Sequence, residues 1–198
     1  PFSNPVSGES RLMRFAASCT TPGMLLLCDR LWHNSGISVT ATTSQAIDSV
    51  AWPARDRLGA TDGNGVMVGV EVSTVMGAGT PTWTLGYTNA AGTSGRTITT
   101  AAQAATMAVG SFIPLQLAAG DTGVRSIQTW QQSATMTSGA YHLVAYRVLA
   151  RLPAVAPVAD APAMDPRIGS RRDEVVRTNR RGRHRKVALV LTGLLLLV

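Results

Sequence analysis

The sequence predicts an all-β chain, an antiparallel β-sandwich of jelly-roll-like form with about eight strands. Short apolar runs follow one another between residues 24 and 150, and turn residues separate them. Several runs alternate apolar and polar side chains, which is the period of a strand with one buried face. The turns come at the spacing expected of a sandwich or a jelly roll.

The first two predicted strands lie on either side of a short turn. Residues 24–33 are an apolar run that ends at Asn-Ser-Gly, and residues 37–43 are rich in β-branched side chains. Residues 44–58 differ, since they carry apolar side chains at helical spacing before Trp-Pro. We expect either a short helix or a long inter-strand loop there.

The middle of the chain shows the clearest strand patterns. Residues 66–76 begin with a valine at every second position, namely Val66, Val68, Val70 and Val72. Residues 82–88 place Trp83, Leu85 and Tyr87 on one face and threonines on the other. A turn of the type Asn-Ala-Ala-Gly leads into residues 96–100, which predicts a hairpin.

Three more runs complete the predicted domain. Residues 107–117 contain Pro114, which favours an edge strand or a bulge because proline lacks a backbone N–H. Residues 124–130 form a strand after a Gly-Asp-Thr-Gly turn. Residues 140–149 alternate, with Tyr141, Leu143 and Ala145 opposite His142, Val144, Tyr146 and Val148.

The composition divides the chain into three parts. Residues 1–23 are polar with Pro and Gly, and we interpret them as an N-terminal arm. Residues 24–152 are the β-sandwich domain. Residues 153–198 are a C-terminal tail made of a Pro/Ala linker, an Arg-rich run and an apolar end.

Almost all the excess charge lies in the tail. Residues 1–150 hold eight basic and seven acidic residues, whereas residues 151–198 hold ten basic and four acidic ones. Of the formal net charge of +7, residues 1–150 therefore supply +1 and residues 151–198 supply +6. The domain is nearly neutral and gives no electrostatic reason to bind nucleic acid.

The domain shows no recognisable catalytic constellation. His33, His142 and His184 are isolated in the sequence, and the carboxylates are scattered beside turns and arginines, as at Asp56 and Asp121, where ion pairs or turn caps explain them. No phosphate-binding loop or dinucleotide fingerprint is present in the sequence. We therefore expect no enzyme, assign no catalytic, cofactor-binding or metal-ligating residue, and expect no cofactor. Cys19 and Cys28 are too few for a disulfide framework, and we favour two free or buried thiols over a bridge.

The tail carries the candidate contact residues. They lie within ten positions of one another and are Arg177, Arg180, Arg181, Arg183, Arg185 and Lys186. Such a run can neutralise phosphates without sequence preference, and a solvated or protein-paired arm is an equal alternative. For the apolar residues 187–198 we favour burial against a neighbouring subunit over burial against the chain's own body or attachment to a membrane surface.

Three stretches of the domain resemble a family of small β-rich virion proteins of tailed bacteriophages. They are LLLCDRLWHNSGISVTATT at 25–43, TPTWTLGYTNAAGTSGRTITT at 80–100 and AGDTGVRSIQTW at 119–130. The resemblance covers roughly residues 20–150 and lies mainly in the hairpin YTNxxGTxGR and the turn GDTGVRS. The basic and apolar tail is not part of it.

The resemblance implies a virion location and a structural role. The expected function is a capsid cement or decoration protein, a minor capsid protein that binds the major capsid protein and copies of itself, as a homo-oligomer such as a trimer. A tail, connector or fibre-base protein is the first alternative. A nucleic-acid-contacting or membrane-contacting module acting through the tail is the second. A carbohydrate-binding or hydrolytic jelly roll is the third, and it would need Trp32, Trp52, Trp83 or Trp130 exposed on a concave face.

Overall fold

The computed structural model describes residues 21–154 and the backbone of residues 196–197. Every regular element in this part of the chain is a β-strand, so the predicted all-β class is confirmed. The strands are β1 (Gly23–His33), β2 (Gln45–Ala46), β3 (Val66–Thr74), β4 (Trp83–Asn89), β5 (Arg96–Thr99), β6 (Phe112–Pro114), β7 (Val124–Gln132), β8 (Ala140–Ala154) and β9 (Leu196–Leu197).

The strands form two sheets. Sheet A has the order β6-β3-β8-β1-β9, and sheet B has the order β2-β7-β4-β5. The β3–β6, β3–β8, β2–β7, β4–β5 and β4–β7 pairs are antiparallel. Strands β1 to β4 neighbour strands β5 to β8 in reverse order, as β1–β8, β2–β7, β3–β6 and β4–β5. The chain changes sheet at every connection from β1 to β8 except the β4–β5 hairpin, and the result is a β-sandwich.

The core lies between the sheets and follows the alternation that the sequence predicts. The four valines of β3 are buried, and Trp83, Leu85 and Tyr87 of β4 face them from sheet B. Tyr141, Leu143 and Ala145 of β8 complete the inner layer of sheet A. Each side chain that leaves water in this way contributes roughly 1.5–3 kcal/mol, which is what holds the two sheets together.

An aromatic cluster joins the two sheets at the centre of the core. The ring centroids of Trp83 and Trp130 lie 5.5 Å apart, and that of Tyr141 lies 5.4 Å from Trp83. Trp130 Nε1 donates a hydrogen bond of 2.9 Å to the Tyr141 hydroxyl, which donates one of 3.0 Å to Gln132 Oε1. The buried polar atoms of these aromatic residues on β7 and β8 therefore satisfy one another.

The prediction of a second strand at residues 37–43 is wrong. Ile37 and Val39 are buried as the pattern requires, but the backbone of the segment does not form a ladder. Gln45 Oε1 accepts from the Ser38 N–H at 2.8 Å, and the carbonyl of Val39 accepts from the Gln132 side chain and from the N–H of Met136. Of residues 37–46, only Gln45 and Ala46, which form β2, pair with β7.

No helix forms in residues 44–58, so the loop alternative is the right one. Much of the segment runs beside β7, since Ile47 N–H donates to the carbonyl of Gln128 at 2.8 Å and Ser49 N–H to that of Ile127 at 2.9 Å. Pairing with a strand uses N–H groups that a helix would need for itself.

The predicted strand at residues 107–117 is reduced to the three residues of β6. Pro114 lies at an edge of sheet A, as the sequence predicts, because only the β3 side of β6 has a neighbour in the sheet. β8 is longer than predicted and reaches Ala154. The predicted arm at residues 1–23 and the tail at 153–198 lie almost wholly outside the described residues.

Candidate functional site

The six basic residues singled out in the tail lie outside the described residues. Their contacts with nucleic acid or neighbouring subunits stay a prediction. The features that the structure does describe lie in three places. These are the end of the sandwich where the β4–β5 hairpin meets the turn before β7, the outer face of sheet A and the outer face of sheet B.

The two motifs of the sequence resemblance meet at one carboxylate, which we call the Asp121 cluster (Tyr87, Asn89, Arg96 and Asp121). The Tyr87 hydroxyl donates to Asp121 Oδ2, Asn89 Nδ2 donates to Oδ1 at 2.7 Å, and Arg96 Nε donates to Oδ2 at 3.0 Å. The Asp121 side chain is only 4% exposed. The hairpin β4–β5 is thus fastened to the turn before β7.

The electrostatics of the Asp121 cluster favour a fixed ion pair. Hydrogen bonds from Tyr87 and Asn89, with the charge of Arg96, hold the pKa of Asp121 below its ordinary value. Burial raises the pKa of Tyr87, and the neighbouring carboxylate raises it further. A carboxylate with a lowered pKa is a weak base, so this cluster is suited to holding loops and poorly suited to proton transfer.

Sequence reasoning predicted ion pairs or turn caps for these carboxylates but suggested the wrong partner for Asp121. Arg125, four residues away, pairs with Asp62 instead. The true partner, Arg96, comes from the hairpin 25 residues earlier. No spacing between neighbouring residues indicates such a pair. A Tyr-x-Asn pattern on the inward face of a strand, followed by an arginine, is the signal that could have found it, because it offers three donors to one buried carboxylate.

Asp56 caps the long loop between β2 and β3. One oxygen accepts the N–H groups of Leu58 and Ala60 at 2.8 Å, and the other accepts that of Asn64 at 3.0 Å. Burial alone would raise the pKa of Asp56, but these backbone hydrogen bonds outweigh it and the pKa is lowered. The turn-cap interpretation made from the sequence is therefore confirmed for Asp56, rather than a pair with the adjacent arginines.

The same loop touches the turn before β7 through glycine. A Cβ at Gly123 would lie 2.0 Å from the carbonyl oxygen of Gly63 and 2.8 Å from the amide nitrogen of Gly65. The bridge between Asn64 and Gly123 and a hydrogen bond of 2.6 Å from Trp52 Nε1 to the carbonyl of Val124 extend this contact. The β2–β3 loop, the β4–β5 hairpin and the turn before β7 are thus held together at one end of the sandwich.

The outer face of sheet A brings together two histidines that are 109 positions apart. The imidazole centroids of His33 and His142 lie 6.0 Å apart at an interplanar angle of 73°. Glu71 is the cross-strand partner of His142, and Arg30 binds Glu71 at 2.8 Å. Partial burial lowers the pKa of His33, and the charges of Arg30 and His142 lower it further against the opposing effect of Glu71.

The outer face of sheet B carries mostly uncharged side chains, which are half-buried or exposed, and Arg125 of β7 is a partly exposed charged residue of the same sheet. The side chains that alternate with its buried residues on β4, β5 and β7 are almost all threonine and glutamine, namely Thr84, Thr88, Thr97, Thr99, Thr129 and Gln131. Thr84 and Thr99 share a hydroxyl hydrogen bond of 3.2 Å across β4 and β5. A Cβ at Gly86 would lie 2.3 Å from Thr129 Oγ1, so the glycine leaves room for the Thr129 side chain.

The four tryptophans do not form the exposed platform that a carbohydrate-binding site would need. Trp52, Trp83 and Trp130 are buried. Trp32 is half-buried, and its ring lies 5.5 Å from that of Trp52. The predictions that Trp83 and Trp130 are core residues are confirmed.

Cys28 is a free thiol, half-buried on β1, and burial raises its pKa to about 11. Cys19 lies outside the described residues. Within residues 21–154, no group of three or more His, Cys, Asp and Glu side chains is placed to hold a metal ion. The described part of the chain has no helix long and apolar enough to cross a membrane. No family model, curated protein or solved structure matches the chain.

Proposed function

We propose that the chain is a structural protein of a tailed-bacteriophage virion, a capsid cement or decoration protein that binds the shell as a homo-oligomer such as a trimer. The observation that carries the proposal is the strand pairing. The neighbours β1–β8, β2–β7, β3–β6 and β4–β5 are those expected of one long hairpin rolled around a core. This is how a jelly roll is made, and viral capsid proteins are major users of that architecture.

The Asp121 cluster supports a structural interpretation of the resemblance. The polar residues of the hairpin and of the Gly-Asp-Thr-Gly turn bind each other inside the molecule. Their chemistry is used to fix the loops at one end of the sandwich. A module of this kind presents rigid surfaces to its neighbours, which suits a symmetric assembly.

The outer face of sheet B is the surface best suited to such neighbours. Its threonines and glutamines carry no charge, and the centres of protein interfaces are depleted of charged side chains. A mostly neutral face can be repeated around a symmetry axis with little like-charge repulsion. The partners in this proposal are copies of the chain and the major capsid protein.

Jelly rolls also serve as carbohydrate-binding domains, and the tryptophans make that use less favoured here. Sugar rings stack on exposed aromatic side chains, whereas Trp52, Trp83 and Trp130 are buried. The mostly uncharged threonine face offers hydroxyl groups but no aromatic platform within the described residues.

The test is to locate the chain in particles of the phage that encodes it. Heads and tails are separated, the chain is quantified in each by mass spectrometry, and a Fab against the sandwich is imaged on intact particles. We expect the chain on the heads at symmetric positions. A location on tails alone would support the tail, connector or fibre-base alternative, and absence from purified particles would overturn the virion assignment.

The tail of the chain is tested separately. Deleting residues 155–198 keeps β8 intact, since that strand ends at Ala154, but it removes β9 from the edge of sheet A. We expect lower occupancy on purified heads. A full-length variant with the six basic residues changed to Gln separates the effect of charge from that of length. If only the charge matters, occupancy falls equally in both variants, and the occupancy of the wild type depends steeply on salt. Unchanged occupancy in the deletion would remove the tail from the proposal.

A further inference from the structure

The histidines on the outer face of sheet A have the features of a metal site. Separated by 109 positions in the chain, they meet because β1 and β8 are neighbours in sheet A. The backbone fixes the place where they meet, since Asn34 N–H donates to the carbonyl of Leu143 at 2.9 Å. The position of each imidazole relative to the other is thus set by strand pairing rather than by a loop.

The orientation of His142 is fixed by a hydrogen bond to the backbone. Its Nδ1 lies 3.0 Å from the carbonyl oxygen of Asn34. A carbonyl oxygen can only accept, so Nδ1 carries the proton and Nε2 of the neutral ring keeps a free lone pair. An imidazole that donates one N–H to a backbone carbonyl and presents its other nitrogen is the usual arrangement of a metal-ligating histidine.

The distance between the rings fits a shared ion after a small movement. Two imidazoles on one tetrahedral zinc ion, with Zn–N bonds of about 2.0–2.1 Å, place their centroids roughly 5 Å apart. The observed separation is 6.0 Å. His33 is exposed at the end of β1, so its side chain can rotate to close the difference without disturbing the core.

Two charged side chains neighbour the pair on this face of sheet A. Glu71, the cross-strand partner of His142, adds a negative charge that favours a cation, although Arg30 holds it now.

From these contacts we propose that His33 and His142 bind a divalent transition-metal ion of the zinc class between β1 and β8. Imidazole is a preferred ligand of Zn²⁺, Ni²⁺ and Cu²⁺. The two rings supply two ligands. The described residues place no third His, Cys, Asp or Glu side chain to hold the ion, so water completes the coordination. The inference does not depend on the virion proposal, since it concerns this face of the folded chain alone.

The test uses the full chain, freed of metal with a chelator and titrated with zinc chloride. Imidazole resonances are followed by ¹H–¹⁵N NMR, and affinity is measured by calorimetry. We expect zinc to shift the resonances of His33 and His142 together, with His142 observed as the tautomer protonated at Nδ1. H33A should weaken binding at this site by about tenfold or more, and H142A should do the same.

The matched control is H184A, which removes the one histidine remote from the pair in sequence. We expect this variant to bind zinc at the pair as the wild type does. Circular dichroism checks that H142A is folded, and H33A, at an exposed position, decides the matter if H142A is not. Zinc that leaves the resonances of His33 and His142 unshifted, or that binds equally well to H33A, would overturn the proposal.

Discussion

The hydroxyl of Tyr87 donates a hydrogen bond to the buried carboxylate of Asp121. This bond joins the inward face of β4 to the turn that precedes β7. The same hydroxyl accepts from the N–H of Ala118 at 3.1 Å, so one phenol satisfies two groups of the loop. The loop that holds Asp121 is therefore positioned from the core of sheet B.

Replacing Tyr87 by Phe should destabilise the fold without changing it. The variant leaves the N–H of Ala118 without its acceptor and removes one of three donors to Asp121. The free energy of unfolding should fall by roughly 1–2 kcal/mol, measured by urea denaturation. A value equal to that of the wild type would mean that the hydroxyl is dispensable.

Replacing Asp121 by Asn should cost more than Y87F. In the variant an amide nitrogen, which donates, can stand in place of Oδ2, which accepts from both Tyr87 and Arg96. The negative charge that pairs with Arg96 is also lost. The matched control is D48N at an exposed position with a φ of 41°, which Asn tolerates. D48N should unfold at the wild-type urea concentration, and a similar midpoint for both variants would count against the cluster.

Acid should weaken the domain through Asp56 and Asp121. Both have a pKa lowered by folding, so each contributes stability above the unfolded-state pKa of about 3.9 and loses it as pH falls through the lower folded-state value. The free energy of unfolding should therefore decline below about pH 4. D121N should show a shallower decline, and an unchanged slope would contradict the lowered pKa of Asp121.

The polar contact at the centre of the core should behave as a coupled pair. Y141F leaves the indole N–H of Trp130 and Oε1 of Gln132 without a partner in a dry environment. We expect a loss of about 1–3 kcal/mol in the free energy of unfolding. A double-mutant cycle of Y141F with W130F should be non-additive, and additive losses would show that the hydrogen bond contributes little.

Gly123→Ala should be among the most damaging small substitutions in the chain. Its Cβ would meet the backbone of Gly63, which cannot rotate away as a side chain can. We expect a loss of about 3 kcal/mol or failure to fold. G110A is the control, because its Cβ meets open space and only the positive φ of 82° costs about 1–2 kcal/mol. Equal melting temperatures for the two variants would argue against the close approach.

The thiol of Cys28 should react slowly in the folded protein. Its pKa of about 11 leaves little thiolate at neutral pH, and only the thiolate is a nucleophile. In a C19S background, labelling by a disulfide reagent at pH 8 should be roughly a hundredfold slower than in urea, as expected for the two-unit rise in pKa. Equal rates in both conditions would show an exposed, ordinary thiol.

The strands with strict alternation were the most predictable parts of the structure. The valines of β3 and the Trp-x-Leu-x-Tyr of β4 face the core because a period of two leaves them no other common side. Residues 37–43 had the composition of a strand and the burial of one, but the backbone of the segment does not form a ladder. Composition reports burial more directly than hydrogen bonding, which is why the element was misassigned while Ile37 and Val39 were placed correctly in the core.

The sequence by itself determined the all-β class, the inward face of the main strands, the edge position of Pro114 and the concentration of charge in the tail. These follow from local period, proline chemistry and counting. Only the tertiary structure decided that Asp121 binds Tyr87 and Arg96 and that His33 lies beside His142. Both contacts join segments that are distant in the chain, and they depend on which strands are neighbours in a sheet. Strand order arises from packing of the whole chain, and no local spacing contains it.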